Sequence, residues 1–283
     1  MSKKKTTATV YSQTQISEGI FDLWLETDLV EDAKAGQFVS LFCKEGSRLL
    51  PRPISICKAD KKAGRIRLVY RVAGQGTAEF SNLVKGDSVS VLGVLGNGFP
   101  LEEADGKKVI VMGGGIGIPP MLQTCVSLKE RGKSEGVTAV LGYRSERFLW
   151  QDFSDVLLQD DKESAASEGA GSQSENGACS LYAATEDGSF GTPGNVLDAV
   201  SQQNIKGDVI FACGPMPMLR AIKKFAEANN IKSYISLEER MACGVGACLG
   251  CVCKTTKEDD HSKVHNSRIC TDGPVYAAED VAI

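Results

Sequence analysis

KKVIVMGGGIGIPPML, residues 107–122, decides the fold. Val109–Met112 is an unbroken apolar run of strand length. Gly113, Gly114, Gly115 and Gly117 then make a tight turn, and an apolar segment of helical character, Met121–Lys129, follows. Strand, glycine turn and helix in that order is the opening of a nucleotide-type α/β unit, in which the turn lets backbone N–H groups approach a pyrophosphate. The spacing is not that of the usual dinucleotide fingerprint, so the motif alone is of moderate specificity.

Downstream, further strand runs occupy Thr138–Tyr143, Leu181–Ala184 and Val209–Ala212, with helix-like stretches at Thr192–Gln203 and Met216–Asn229. Strands alternating with helices imply a doubly wound, mostly parallel sheet. Residues 159–180 are rich in Ser, Glu, Gly, Ala and Asp with almost nothing apolar, a composition that reads as a flexible insertion in a loop. Upstream the pattern changes to short alternating runs at Ala8–Tyr11, Ile20–Leu25, Phe38–Phe42, Ile66–Tyr70 and Ser88–Leu92, with one helical piece near Thr77–Leu83. That is the signature of a small antiparallel β-barrel. The expected organisation is therefore a barrel domain over residues 1–103, an α/β domain over 104–235 and a small C-terminal module over 236–283.

That last module carries the strongest motif. Five of the ten cysteines fall in it, four of them spaced Cys243-x4-Cys248-x2-Cys251 with Cys270 nineteen residues further on. Three thiols close together and a fourth distant is the plant-ferredoxin spacing for a [2Fe–2S] cluster. Gly244, Gly246 and Gly250 let the backbone wrap the cluster and aim N–H groups at its sulfurs. A structural zinc site also takes four cysteines, but usually as two separated pairs, and the three-plus-one grouping speaks against it. Cys253 is left out of the ligand set, with its side chain expected to face away.

In the barrel region, Arg52-Pro53-Ile54-Ser55 precedes Val69-Tyr70-Arg71 and then Gly76-Thr77. An arginine neutralises a pyrophosphate as a bidentate donor. Ser55 suits a flavin ring edge, and a helix starting near Gly76 offers amides to a second phosphate. Each piece alone is weak. At the end of the last α/β strand, Cys213-Gly214-Pro215 reads either as a nicotinamide-side turn or as a buried strand-end thiol. Asp187-Gly188-Ser189 equally reads as a cofactor-facing turn or an ordinary loop. Arg144 and Ser145 suit a 2′-phosphate, but Glu146 opposes one, which leaves NAD against NADP open.

Bulk properties exclude other classes. A formal net charge of −4 over 283 residues offers no basic footprint for nucleic acid. The glycine-broken apolar stretch at Val109–Leu122 is too short to span a bilayer. The start MSKKKTTATV lacks an apolar signal core, so a cytoplasmic location is expected. Only two histidines occur, His261 and His265, so general acid–base chemistry has few carriers. Hydride transfer needs none.

Taken together, the barrel with Arg52–Ser55, the Gly76-Thr77 turn and the nucleotide sheet resemble the ferredoxin–NADP reductase superfamily over residues 7–235. That resemblance implies FAD held by Arg52, Pro53, Ile54, Ser55, Val69, Tyr70, Arg71, Gly76 and Thr77. It implies NAD(H) at Gly113, Gly114, Gly115, Gly117, Cys213 and Gly214. No terminal aromatic covers the flavin; the chain runs on into the cysteine module instead. Ser236–Cys251 together with Arg268–Tyr276 is similar to the electron-transfer subunits of class 1B dihydroorotate dehydrogenases. This implies an FMN-containing catalytic partner in a heterotetramer. It implies metal ligands Cys243, Cys248, Cys251 and Cys270, and electron flow between that FMN and NAD through the cluster and FAD in pyrimidine (UMP) biosynthesis. Subunits of an NADH-dependent ferredoxin:NADP reductase or a sulfhydrogenase share the same three modules. A non-catalytic flavin and iron–sulfur sensing module is the alternative from a different class.

Overall fold

The computed structural model describes residues 4–158, 171–173, 179–258 and 263–283. The chain divides into two units. One runs to Gly98 and includes Leu237–Tyr276 and Asp280–Ala282; the other comprises Phe99–Ser236, Ala277–Glu279 and Ile283.

The first unit is built on β1 (Lys4–Ser17), β2 (Ile20–Glu26), β3 (Phe38–Phe42), β4 (Arg52–Asp60), β5 (Arg65–Arg71) and β6 (Ser88–Leu95), with helix α1 (Gln75–Phe80) between β5 and β6. The strands close into a six-stranded antiparallel barrel in the order β1-β2-β5-β4-β3-β6. Period-two alternation explains the core. Val10, Leu23, Leu25, Val39, Leu41, Ile56, Ile66, Leu68, Tyr70, Val89 and Val91 point inward and pack as one apolar cluster. Closure leaves no free strand edge to solvent. Arg52–Ser55, read only as lying in a strand-rich region, forms the start of β4 and pairs with β3.

The second unit contains β7 (Lys108–Gly114), α2 (Ile118–Arg131), β8 (Gly136–Tyr143), α3 (Trp150–Leu157), β9 (Gly171–Gln173), β10 (Cys179–Thr185), β11 (Thr192–Pro193), α4 (Val196–Gln202), β12 (Val209–Cys213), α5 (Met216–Ala228) and β13 (Lys232–Ser236). Its parallel strands run β11-β10-β8-β7-β12-β13. β10 and β12 are buried along their whole length, as strands covered on both faces must be. From β7 the chain steps outward to β8 and β10, then returns to lay β12 on the other side of β7. The strand order reverses between β7 and β12, the place where open α/β sheets bind ligands.

The helix expected over Thr192–Gln203 begins only at Val196. Thr192–Pro193 pairs with β10 instead, and Asn195 caps the helix, its Oδ1 accepting the N–H groups of Leu197 and Asp198. Gly194, at a φ of 118°, separates the two. α3 and β13 were not anticipated. The flexible insertion expected over residues 159–180 lies outside the described residues except for β9, which runs antiparallel to β10, and the first two residues of β10. After β13 the chain contributes Leu237–Tyr276 to the first unit, including β14 (Val252–Lys254) paired antiparallel with β15 (Asn266–Arg268).

Candidate functional site

The four spaced cysteines stand as two pairs. The Cys243 thiol has the Cys248 thiol as a hydrogen-bond partner. Cys270 stands against Cys251, and the Cys270 N–H donates to Cys251 Sγ at 3.4 Å. Among the described residues, no three His, Cys, Asp or Glu side chains gather around one point. Two pairs is what a binuclear cluster asks of a protein, since each iron takes two protein sulfurs.

The backbone is already arranged to hold negative sulfur. The Val245 N–H donates to Cys243 Sγ and the Gly250 N–H to Cys248 Sγ, both at 3.4 Å. Burial pushes the Cys243 thiol up, but the N–H groups of Val245, Cys248 and Ala247 and the Cys248 thiol outweigh it and hold the thiol down at about 6. Cys270 lies deeper, and burial followed by the nearby Cys251 pushes it up to about 11. Gly244 and Gly246 sit at φ of 67° and 85°, which L side chains rarely adopt. These residues fit a [2Fe–2S] cluster. The odd thiol, Cys253, faces the Tyr276 hydroxyl, which itself pairs with Ser267 Oγ at 3.0 Å.

The loop around Cys270 is fixed by groups the sequence reading passed over. Arg268 grips Asp272 through Nε and Nη2 at 3.0 and 3.1 Å, and the Arg268 N–H donates to the same carboxylate. Asn97, just past β6, donates from Nδ2 to the carbonyls of Thr271 and Asp272 and from its own N–H to that of Gly273. Arg268 and Asp272 were visible at i, i+4 spacing. Asn97 carried no signal in the sequence beyond its place between Gly96 and Gly98.

In the same unit, the Arg52 guanidinium lies so close to Gly76 that any Cβ there would collide with it, and its Nη1 donates to the Leu50 carbonyl. A cation laid against the first turn of α1 is an anion site suited to the pyrophosphate of FAD. Thr77 spends its hydroxyl on α1 itself, accepting the Ala73 and Gly74 N–H groups at 2.9 and 3.2 Å. Ser55 is half-buried and opposite Phe38, with Pro53 opposite Ser40; Ile54 packs against the barrel core. Tyr70 is committed to that core, stacked on Phe21 and donating to Gln13 Oε1 at 2.9 Å. Only its backbone remains for a ligand on the other face of β5, where Val69 and Arg71 point.

In the second unit, the two glycine turns meet at the strand-order reversal. A Cβ on Gly117 would stand 2.5 Å from the backbone carbonyl of Cys213, and Gly114 and Gly214 both abut the Met218 side chain. Gly113 is equally closed off, by Ile118, while Gly115 faces open space at a φ of 51°. The start of α2 is poorer in donors than expected. Pro119 and Pro120 have no N–H, and the Ile118 N–H already donates to the Gly115 carbonyl. Any pyrophosphate cradle therefore falls to the Gly113–Gly117 turn more than to the helix end. Asp187 accepts the N–H and hydroxyl of Ser189, a local turn whose hydrogen bonds hold its carboxyl low. Arg144 pairs with Glu186 at 3.6 Å, both well exposed.

A family model described as the iron–sulfur cluster binding domain of dihydroorotate dehydrogenase B matches residues 238–282. The chain is 41% identical over 280 residues, 99% of each chain, to the electron transfer subunit of dihydroorotate dehydrogenase B (NAD⁺) from Listeria innocua. It is 39% identical over the full length of both to the subunit of that name from Shouchella clausii. Among solved structures, an NADH-dependent reduced ferredoxin-NADP oxidoreductase superposes with a TM-score of 0.76 at 26% identity, covering 97% of this chain and 89% of that one. A ferredoxin NADP⁺ reductase from Neisseria gonorrhoeae with bound FAD and NADP shares the fold, with a TM-score of 0.60 at 18% identity over 84% of this chain and 95% of that one.

Proposed function

The chain belongs to the family of electron transfer subunits of dihydroorotate dehydrogenase B, and on that premise we propose that it passes electrons between an FMN-bearing catalytic subunit and NAD⁺ by way of a [2Fe–2S] cluster and FAD. Its being an oxidoreductase's electron transfer subunit, beside a catalytic partner, follows from the family. The FMN of that partner, a heterotetramer of two copies of each subunit and service to pyrimidine (UMP) biosynthesis are the finer parts of the reading. So is a cytoplasmic location; among the described residues no helix is long and apolar enough to cross a membrane.

One observation carries the reading: two thiol pairs, Cys243 with Cys248 and Cys251 with Cys270, in the same unit as the Arg52–Gly76 anion site. When bound, FAD would supply hydride exchange with nicotinamide on one side and single-electron exchange with a cluster that carries one electron at a time on the other. The chain's own residues bind and orient. Arg52 neutralises pyrophosphate charge beside Gly76, and Ser55 offers its hydroxyl to a ring edge. Gly113–Gly117 and Cys213–Gly214 give a dinucleotide close backbone approach. The Val245, Gly250 and Cys270 N–H groups offset the negative charge of the thiolates they face. No side chain is required as acid or base, which suits a chain whose described histidine, His265, is exposed.

The test is to purify the chain with its native partner, measure iron, acid-labile sulfide, FAD and FMN, and assay dihydroorotate-dependent reduction of NAD⁺. About two irons per copy of this chain and activity that needs both subunits are expected. Colourless, iron-free material, or a complex inert towards dihydroorotate, overturns the reading.

A further inference from the structure

Ser40 Oγ, in the middle of β3, is fully buried and has no hydrogen-bond partner among the described residues. A buried hydroxyl without a partner opposes folding, and a small apolar residue there would avoid the penalty. The surroundings give it a direction. Val39 and Leu41 point into the barrel core, so Ser40 faces outward, where a barrel strand normally meets water. Here that outer face is covered by the cysteine segment. A Cβ placed on Gly244 would lie 3.4 Å from Ser40 Oγ and 3.3 Å from Leu95 Cδ1, with Leu92 Cδ2 at 4.0 Å. Gly244 directly follows Cys243 and holds a left-handed φ of 67°, which brings its backbone down onto β3 and β6. On the other side, β3 pairs with β4 so that Ser40 stands opposite Pro53, and Phe38 opposite Ser55. The one unpartnered polar atom of this apolar patch thus lies between the Arg52–Ser55 segment and the loop that begins the thiol set.

We propose that Ser40 is a positioning residue of the electron path, its unpartnered hydroxyl being the hydrogen-bond donor that the barrel holds ready, beside Cys243–Gly244, for the sulfurs of the bound cluster. The inference rests on the cluster reading above. An electron added to a cluster spreads onto its sulfurs, and a donor facing them from a dry patch stabilises the reduced form and raises the potential.

The experiment uses the full chain with its cofactors bound and compares Ser40→Ala and Ser40→Thr with the parent. Readouts are iron and FAD content and a redox titration of the cluster followed by its electron paramagnetic resonance signal. Ser40→Ala is expected to keep both cofactors in the parent ratio and to titrate at a more negative potential, while Ser40→Thr, which keeps the hydroxyl, titrates with the parent. If Ser40→Ala does not retain iron, Ser40→Cys, a weaker donor of similar size, takes its place with the same negative shift expected. An unmoved potential with the cluster intact overturns the proposal and leaves a hydroxyl that at most holds a buried water. Iron-free parent protein overturns it together with the cluster reading.

Discussion

The thiol segment, Cys243–Cys270, and the glycine turns, Gly113–Gly117 with Cys213–Gly214, carry their chemistry in opposite ways. In the first, side chains are the ligands and the backbone assists: four sulfurs in two pairs, with N–H groups from Val245, Gly250 and Cys270 aimed at them. In the second, the backbone is the ligand surface and side chains are mostly excluded, because a Cβ on Gly117 or Gly113 would strike its neighbours. A site made of side chains survives shifts in backbone shape but not a change of residue type. A site made of backbone is the reverse. The two regions should therefore fail differently when altered.

The largest failure belongs to the thiols. Cys270→Ser removes one sulfur of a pair and replaces it with a poor ligand for iron. Iron content should collapse and electron delivery to the partner fall by more than about a hundredfold, beyond the range typical of losing a group that merely orients a ligand. Flavin content and the bleaching of flavin by NADH should persist, since Arg52, Gly76 and the glycine turns are unaltered. A Cys270→Ser protein with full iron and full electron delivery would break the contrast outright.

A smaller, differently shaped effect is expected at the turns. Gly117→Ala places a methyl 2.5 Å from the Cys213 carbonyl, a backbone group that cannot rotate away. Forcing the β7 and β12 turns apart should cost about 1–3 kcal/mol of stability, and displacing the turn should raise the KM for NADH about tenfold, an effect worth ~1.4 kcal/mol. Iron content should not change. Gly115→Ala is the matched control: it has open space but a φ of 51°, so it should cost only about 1 kcal/mol of backbone strain. Equal losses from the two alanines, read by denaturant unfolding and NADH titration, would mean that conformation rather than close approach sets the glycines.

The same contrast explains what was legible beforehand. Cys243, Cys248, Cys251 and Cys270 announced themselves because ligand chemistry restricts residue type, and spacing alone narrowed the metal. The barrel and parallel sheet were legible through period-two runs such as Ile66–Tyr70 and unbroken ones such as Val209–Ala212. The strand order around the barrel and the place of the strand-order reversal, between β7 and β12, were not, since both are properties of pairing between distant segments. Ser40 and Asn97 escaped for a related reason. A serine in an alternating strand reads as solvent-facing until the chain two hundred residues later is seen to cover it. The start of α4 was misjudged because Thr192 and Pro193 pair with β10, an interaction no local propensity contains.

The smallest effect concerns a site held by neither thiol nor glycine. Glu79, at the end of α1, accepts the Lys44 N–H at 2.5 Å, the Glu45 N–H at 3.4 Å and the Arg48 guanidinium at 2.6 Å, pinning the loop that leads to Arg52. Burial pushes its carboxyl up, but the Lys44 and Glu45 amides and Arg48 outweigh burial and hold it below the ordinary range. A carboxyl whose folded value is depressed stabilises the fold fully above its unfolded value, near ~4.3, and the contribution is lost as pH falls through the folded value. Glu79→Gln keeps the acceptor oxygen and loses the charge, so it should cost about 0.5–1 kcal/mol at neutral pH, a partly exposed pair being screened by solvent. The gap between parent and variant should narrow as pH falls below the ordinary carboxylate range and close only beneath the depressed folded value, where the parent carboxyl is itself protonated. Denaturant unfolding at neutral and acid pH checks it. A gap that stays constant with pH would mean that Glu79 holds the Arg52 loop through shape alone, as the glycines hold theirs.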